Sequence, residues 1–184
     1  MHNNLPIFFT FINTHDEGYI RKLNKKIAII YRNYSTKCDE RLISNIKKTC
    51  KKDGRKFFLS NNIKLSIKLG LDGVYLPSFY KKLNVSQMNT KNNFLVMGSA
   101  HSTGEIKIKE KQGAELIFLS PLFKNKKNKA FLNVIKFNIL ASKTMKKVIA
   151  LGGINSKNLN KLKMTNSYGY AGISYFNNTS KIKI

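Results

Sequence analysis

Two adjacent glycines, Gly152 and Gly153, stand between the apolar run Val148–Leu151 and the polar stretch INSKNLNKL. Glycine adopts positive φ without steric penalty and lets other atoms come close to the main chain. Backbone N–H groups exposed in this way, with a helix opening from Asn155 behind them, can cradle a phosphate. The same dipeptide also serves as a plain strand-to-helix turn. Other residues able to bind or move charge follow other apolar runs. Arg32 follows IAIIY, Ser60-Asn61-Asn62 closes KFFL, and His101 lies in Ser99-Ala100-His101-Ser102. The stretch Asn125-Lys126-Lys127-Asn128-Lys129 comes after Ser120-Pro121. Arg32 suits a phosphate or carboxylate, and His101 suits proton transfer near neutral pH or the ordering of a strand end. The lysine stretch can neutralise phosphate as point charges or remain a solvated basic loop.

These residues act together only if the apolar runs place them at one end of a sheet. The runs Leu5–Ile12, Ile27–Tyr31, Lys56–Leu59, Gly73–Leu76, Phe94–Met97, Leu116–Leu119, Val148–Leu151 and Tyr170–Ser174 read as eight strands, mostly short and continuously apolar. Between them, Asp39–Lys51, Ile63–Leu69, Glu105–Lys111, Val134–Lys143 and Asn155–Lys163 read as helices. Alternation of this kind predicts a parallel sheet covered by helices, and the count predicts a (β/α)8 TIM barrel. Asn177–Ile184 leaves little chain for a full last helix. A doubly wound open sheet is the alternative, whereas in a barrel the chemistry sits at the carboxyl ends of the strands.

The chain has 184 residues, 42% of them hydrophobic, and no linker or internal repeat, which fits one domain spanning 1–184. No apolar run is long enough to span a bilayer, and no signal-peptide pattern opens the chain, so the expectation is a cytoplasmic protein with no membrane partner. Cys38 and Cys50 lie twelve residues apart on the helix predicted there, an arrangement unsuited to a disulfide or a metal site. A net charge of +25 raises the possibility of an RNA or DNA partner. The lysines are spread along the whole chain, however, which reads as solvated faces rather than as a nucleic-acid-binding arm. Such a field also attracts small phosphorylated substrates.

Five segments, GLDGVYLPS (Gly70–Ser78), MGSAHSTGE (Met97–Glu105), GAELIFLSPLF (Gly113–Phe123), ALGGINSKN (Ala150–Asn158) and GYAGIS (Gly169–Ser174), occur in order and at suitable spacing. Together they resemble the thiamine phosphate synthase/TenI family, over about Ile27 to Phe176. The resemblance implies a (β/α)8 barrel in thiamine biosynthesis that binds a thiazole phosphate-type ligand. It also implies a possible coupling of that ligand to hydroxymethylpyrimidine diphosphate, with Mg²⁺ and release of pyrophosphate. It assigns Gly152, Gly153, Ile173 and Ser174 to phosphate and places Ser99 near the pyrimidine diphosphate.

The pattern departs from the family at the diphosphate end. After the second strand the family's Gln-x-Arg-x-Lys positions hold Ile30, Arg32 and Tyr34. After the third, Ser60 and Asn61 stand where the family has Asn-Asp, and after the fourth, Pro77, Ser78 and Tyr80 stand where it has Gly-Gln-x-Asp. Both metal-binding carboxylates are therefore missing, and a neutral amide is a poor Mg²⁺ ligand. In the sixth-strand loop, Asn125 and Lys127 fall where the family's Thr-x-Thr-Lys contacts phosphates, and Pro121 stands where some TenI proteins carry His. The sequence thus leaves catalysis open, with His101 and Arg32 as candidates and Arg32, Ser60, Asn61, Ser99, Asn125 and Lys127 as substrate contacts. A TenI-like thiazole tautomerase, a noncatalytic phosphate-ligand-binding or partner protein, and a basic RNA-binding protein are the alternatives, with homo-oligomers possible.

Overall fold

An apolar run of four to six residues has two faces to bury, and each run here finds cover on both. In the computed structural model, which describes residues 5–35, 39–83, 85, 88, 90–125, 130–172, 175 and 176, these runs form β1 (Phe8–Ile12), β2 (Ile27–Tyr31), β3 (Phe57–Ser60), β4 (Gly73–Leu76), β5 (Leu95–Ala100), β6 (Leu116–Leu119), β7 (Lys147–Leu151) and β8 (Gly169–Gly172). The helices are α1 (Glu17–Lys22), α2 (Glu40–Lys52), α3 (Ile63–Lys68), α4 (Thr103–Lys111) and α5 (Asn133–Ala141), and a 3₁₀ helix spans Leu159–Met164.

The strands pair in parallel and in chain order, and β8 returns to β1. Phe8 stands opposite Tyr170 and Thr10 opposite Gly172, so the barrel closes and the open-sheet alternative falls. Alternate residues fill the interior: Phe9 and Phe11 of β1, Ile30 of β2, Phe58 of β3, Tyr75 of β4, Met97 of β5, Phe118 of β6 and Leu151 of β7 belong to one buried cluster. The intervening residues, among them Ile29, Leu59, Ile117 and Ala150, pack outward against Ile43 and Ile46 of α2, Ile106 of α4 and Phe137 of α5. A strand with apolar residues on both faces is what parallel pairing under helices demands.

Among the described residues, parts of the barrel at β4 and at β8 are covered by side chains that lie outside any helix. Among the described residues, no helix or strand lies between β4 and β5. Val85 and Phe94 bury themselves against Val74 and Leu76 there. A lysine inside α4 holds this irregular segment in place. Lys109 is fully buried, and its ammonium donates to the carbonyls of Pro77 (2.8 Å) and Tyr80 (2.9 Å) and to Oε1 of Gln112 (3.0 Å). Gln112 in turn donates to the carbonyls of Tyr80 and Lys82. Its aliphatic stem passes over Gly98, where a Cβ would lie 2.5 Å from Lys109 Cδ. At β8, Tyr170 packs edge-on against Phe8 and parallel to Phe176, and the buried Tyr175 and Phe176 cover this seam. The segment Asn177–Ile184, where the sequence leaves little room for a last helix, lies outside the described residues.

The amino-terminal end of the barrel carries a second buried cation. Arg55, only 4% exposed, donates to four carbonyl oxygens, those of Ile20, Leu23, Asn24 and Ile27. It ties the end of α1 to the start of β2. Helix α1 itself is absent from the sequence-based expectation, because only Ile20 of its six residues is buried and so short a segment shows no period. The stretch Asn155–Lys163 is not the α-helix expected from the sequence; Asn155 lies in a loop, and only the 3₁₀ turn Leu159–Met164 follows. Asn155 and Asn158 both donate to the Gly153 carbonyl, so their side chains bind the backbone in a non-helical conformation. Cys50 is buried on α2, while Cys38 lies outside the described residues.

The two buried cations predict separable losses. Arg55→Met strips the donor from four carbonyls and should lower unfolding free energy by roughly 3 kcal/mol or more, read as the urea midpoint at constant m. Lys109→Met should cost about 2 kcal/mol or more by the same measurement. Burial also pushes the Lys109 ammonium down to about 8. The unfolded lysine therefore holds its proton through the window from about 8 to the ordinary lysine range, while the folded one has released it. Stability supplied by this residue thus rises with pH across that window. The wild-type advantage over Lys109→Met should be larger in urea titrations at the top of the window than at pH 7.5; a constant or shrinking difference would contradict the assignment.

Candidate functional site

The carboxyl ends of the strands bring most of the sequence candidates to one mouth. Arg32, immediately after β2, is fixed by its own N–H to the Ile12 carbonyl (2.8 Å), and its guanidinium lies 4.4 Å from the centre of the Phe11 ring. A cation is thereby held over the aromatic floor of the barrel, where it can meet an anion without a carboxylate in the way. That floor is a contact set of rings: Phe11 to Tyr75 at 5.3 Å, Tyr75 to Phe118 at 5.2 Å and Phe9 to Phe118 at 5.0 Å, all edge-to-face. Burial pushes the Tyr75 phenol up to about 12, against the opposing effect of its hydrogen bond with Ser99. Ser99 is thus tied to the floor by a phenol that stays protonated at neutral pH.

Ser60 and Tyr34 share a hydrogen bond of 3.0 Å, and the Tyr34 ring meets Phe79 edge-on at 5.3 Å. Tyr34 and Phe79 remain 50% and 57% exposed, so one side of the mouth is an aromatic wall. Burial raises the Tyr34 phenol above its ordinary range, while the bond to Ser60 and the nearby Arg32 charge pull the other way. Asn61, beside Ser60, holds φ at +61°, and its N–H donates to the Tyr75 carbonyl. Its neighbour Asn62 caps α3 by accepting from Leu65 N–H.

His101, exposed after β5, is oriented at both ends. Its ring Nδ1 lies 2.7 Å from the Ser120 carbonyl, which can only accept, so Nδ1 carries the hydrogen. In the neutral ring Nε2 is left as the basic nitrogen. Its backbone N–H donates to Glu105 Oε2 (2.7 Å), while Glu105 N–H donates to Ser102 Oγ, a variant of the capping box at the start of α4. The histidine therefore links the ends of β5 and β6 and keeps one nitrogen for proton exchange.

Gly152 and Gly153 have φ of +94° and +73°, a conformation that favours glycine. The atoms crowding them are the chain's own. A Cβ on Gly153 would lie 2.3 Å from the Phe123 carbonyl oxygen, and one on Gly152 would lie 2.9 Å from Pro121 Cα. Leu122 N–H donates to the Leu151 carbonyl and Phe123 N–H to the Gly152 carbonyl, so the loops after β6 and β7 are laced main chain to main chain. The helix expected to aim its amino terminus at a phosphate is replaced by a loop held by asparagine side chains: Asn155 N–H donates to Asn158 Oδ1, and Lys157 N–H donates to Asn155 Oδ1 in an Asx turn. Asn125 is described beside this loop pair; Lys127, Ile173 and Ser174 lie outside the described residues.

The residues present do not fit a Mg²⁺ site. Asp72 precedes β4 and accepts from Lys56 Nζ and Phe57 N–H at the amino-terminal end of the strands. At the mouth, Glu105 is engaged with His101 N–H and stands 3.5 Å from Lys81. Among the described residues no group of three or more His, Cys, Asp or Glu could hold a metal ion. Also among the described residues, no helix is long and apolar enough to cross a membrane.

The sequence signals pointed to the polar members of this mouth and missed its rings. Tyr34 fell on a family position only as a departure from it, Phe79 and Tyr75 carry no spacing that marks a site, and Lys109 looks like one more surface lysine. The one usable signal was position, since Tyr34 and Phe79 follow strands and Tyr75 lies near the end of β4.

The thiamine monophosphate synthase family model matches residues 22–176. A protein of Aquifex aeolicus described as "Putative thiamine-phosphate synthase 2" is 31% identical over 140 residues, which cover 74% of each chain. A thiamine-phosphate synthase of Prochlorococcus marinus is 27% identical over 130 residues, covering 68% of this chain and 38% of that longer one. Among solved structures, thiamine phosphate pyrophosphorylase from Pyrococcus furiosus superposes with a TM-score of 0.73 at 20% identity, covering 91% of this chain and 84% of that one, which bears on the fold alone. With the closed parallel barrel and the ordered strand ends already in place, the match over 22–176 makes this chain a member of the thiamine monophosphate synthase family.

Proposed function

We propose that this protein acts in thiamine biosynthesis by binding a thiazole phosphate-type ligand at the barrel mouth. The observation that carries the reading is the laced pair of loops after β6 and β7, with Gly152 and Gly153 at positive φ, in a chain of this family. On this reading the phosphate lies against that loop pair, with Ile173 and Ser174 as its sequence-based partners and Asn125 and Lys127 at its edge. Arg32 supplies a second cationic contact over the ring floor, and Ser60, Asn61 and Ser99 line the far side.

Coupling to a pyrimidine diphosphate needs the charge on the leaving pyrophosphate to be met. Here that charge faces Arg32 and an aromatic wall, and among the described residues no group of three or more His, Cys, Asp or Glu could hold a metal. Metal-assisted coupling is therefore not the activity we assign. The geometry of His101 favours one second reading, a proton transfer on the bound thiazole through Nε2.

Thiazole phosphate added to the full chain should raise its melting temperature, by an amount that grows with ligand concentration. No shift at millimolar ligand would overturn the binding reading. Because any side chain at residue 153 strikes Phe123, Gly153→Ala should lower the melting temperature even without ligand, so binding must be read from the ligand-induced increment. Supplied with both thiamine precursors and Mg²⁺, the protein should release no pyrophosphate above background. Mg²⁺-dependent formation of thiamine phosphate would overturn the exclusion of metal-assisted coupling.

A further inference from the structure

Tyr34 and Phe79 leave about half of their surface to water, whereas Phe11, Tyr75 and Phe118 in the floor are buried. They are not two isolated surface residues. The rings meet at 5.3 Å with their planes 76° apart. Each is also held in place by polar contacts of its surroundings. Tyr34 Oη shares its hydrogen bond with Ser60 Oγ at the end of β3. Phe79 lies between Pro77 and Tyr80, whose carbonyls both accept from the buried Lys109 ammonium. The pair is thus set before any ligand arrives, which lowers the cost of binding. Two rings at this angle enclose a near right-angled corner. A third flat ring laid on one of them meets the other edge to face, the arrangement that Phe11, Tyr75 and Phe118 already make in the floor.

Charge selects the kind of ring. The family resemblance puts a metal and a diphosphate on this side of the mouth, and the corner suits neither. Arg32 is held over the Phe11 ring, and Lys81, two residues past Phe79, stands 3.5 Å from Glu105. A diphosphate laid on the ring faces would meet their negative quadrupole and lose its water. A cationic ring would be opposed by Arg32 and by the net charge of +25. An uncharged planar heterocycle suffers neither loss, and Arg32, Ser60 and the exposed Asn61 carry donors and acceptors suited to its edge.

The barrel sets the length of the ligand. The corner lies after β2 and β4, and Gly152 and Gly153 follow β7, three strands away from each around the closed sheet. Neighbouring strands lie about 4.8 Å apart, which puts the two sides of the mouth on the order of 10 Å from one another. A monophosphate with a single ring is too short to touch both. We infer that Tyr34 and Phe79 form a ring-binding subsite for the uncharged heterocycle of a two-ring monophosphate, in the place where the resemblance puts metal and diphosphate. The ring subsite stands on the corner alone, while its linkage to a phosphate rests on the binding reading proposed above.

Hydroxymethylpyrimidine without phosphate, at millimolar concentration, probes the corner by itself. Saturation transferred from protein methyl protons to its ring proton should appear with the full wild-type chain and with Tyr34→Phe, which keeps the ring. It should fall at least about fivefold in Tyr34→Ala and in Phe79→Ala. Should an alanine variant fail to fold, leucine at the same position, with bulk but no ring, carries the same expectation. In calorimetric titrations, thiamine phosphate should bind the wild type about tenfold more tightly than thiazole phosphate. The alanine variants should erase that ratio and leave the affinity for thiazole phosphate unchanged. No transfer to the pyrimidine in the wild type, undiminished transfer in the alanine and leucine variants, or an equal loss in Tyr34→Phe would each overturn the ring subsite. Equal affinity of the wild type for the two phosphates would overturn the two-ring assignment. A chain that binds the pyrimidine but not thiazole phosphate would support the ring subsite and overturn the phosphate reading instead.

Discussion

A parallel strand that is apolar on both faces must be covered on both, and in this molecule that requirement shapes everything outside the barrel. Inside, rings do the covering: Phe9, Phe11, Tyr75 and Phe118 touch edge to face across the lumen. Outside, helices cover most strands, and at β4 and β8 other described residues contribute cover. Beyond β4 these are Val85, Phe94 and the carbonyls gathered by Lys109; beyond β8 they are Tyr175 and Phe176. Parallel sheets tolerate no bare face, because their strands have no alternation of polar and apolar residues to offer water.

The mouth follows from that arrangement. An irregular β4–β5 segment pinned at Pro77 and Tyr80 leaves Phe79 between the two anchors, projecting toward Tyr34. The side of the mouth where the resemblance would place metal and diphosphate is therefore a surface of rings with one guanidinium above them. The opposite side is main chain, where the loops after β6 and β7 are stitched together at Gly152 and Gly153. The two sides offer different chemistry: one presents rings and a guanidinium, and the other a backbone edge laced across two loops.

Much of this was legible in the sequence, for physical reasons. The runs Ile27–Tyr31, Gly73–Leu76 and Leu116–Leu119 became strands with the same boundaries, because a short apolar run bounded by polar residues has one way to bury both faces. Barrel closure followed from their number. The stretch after Gly153 misled, since its leucines have helical spacing while its asparagines bond the Gly153 carbonyl and stop an α-helix from starting. The glycines were read as a place where main chain can approach a phosphate; the structure adds a second demand on them, since a Cβ at either would strike Phe123 or Pro121. Lys109 was unreadable for a different reason. Its spacing from Ile106 puts it on the inward face of α4, yet its type says solvent, and only the carbonyls it meets resolve the conflict.

Gly98 and Lys109 have a consequence for how this protein can change over time. The lysine stem occupies the volume where a side chain on residue 98 would go. A chain that acquires even alanine at 98 must surrender the lysine's course, and with it the anchor for Pro77 and Tyr80. A chain that loses the lysine leaves a gap over Gly98 and an untethered loop beside the mouth. The two positions are therefore coupled, and the shape of the mouth's aromatic side depends on a glycine of β5 and a lysine of α4.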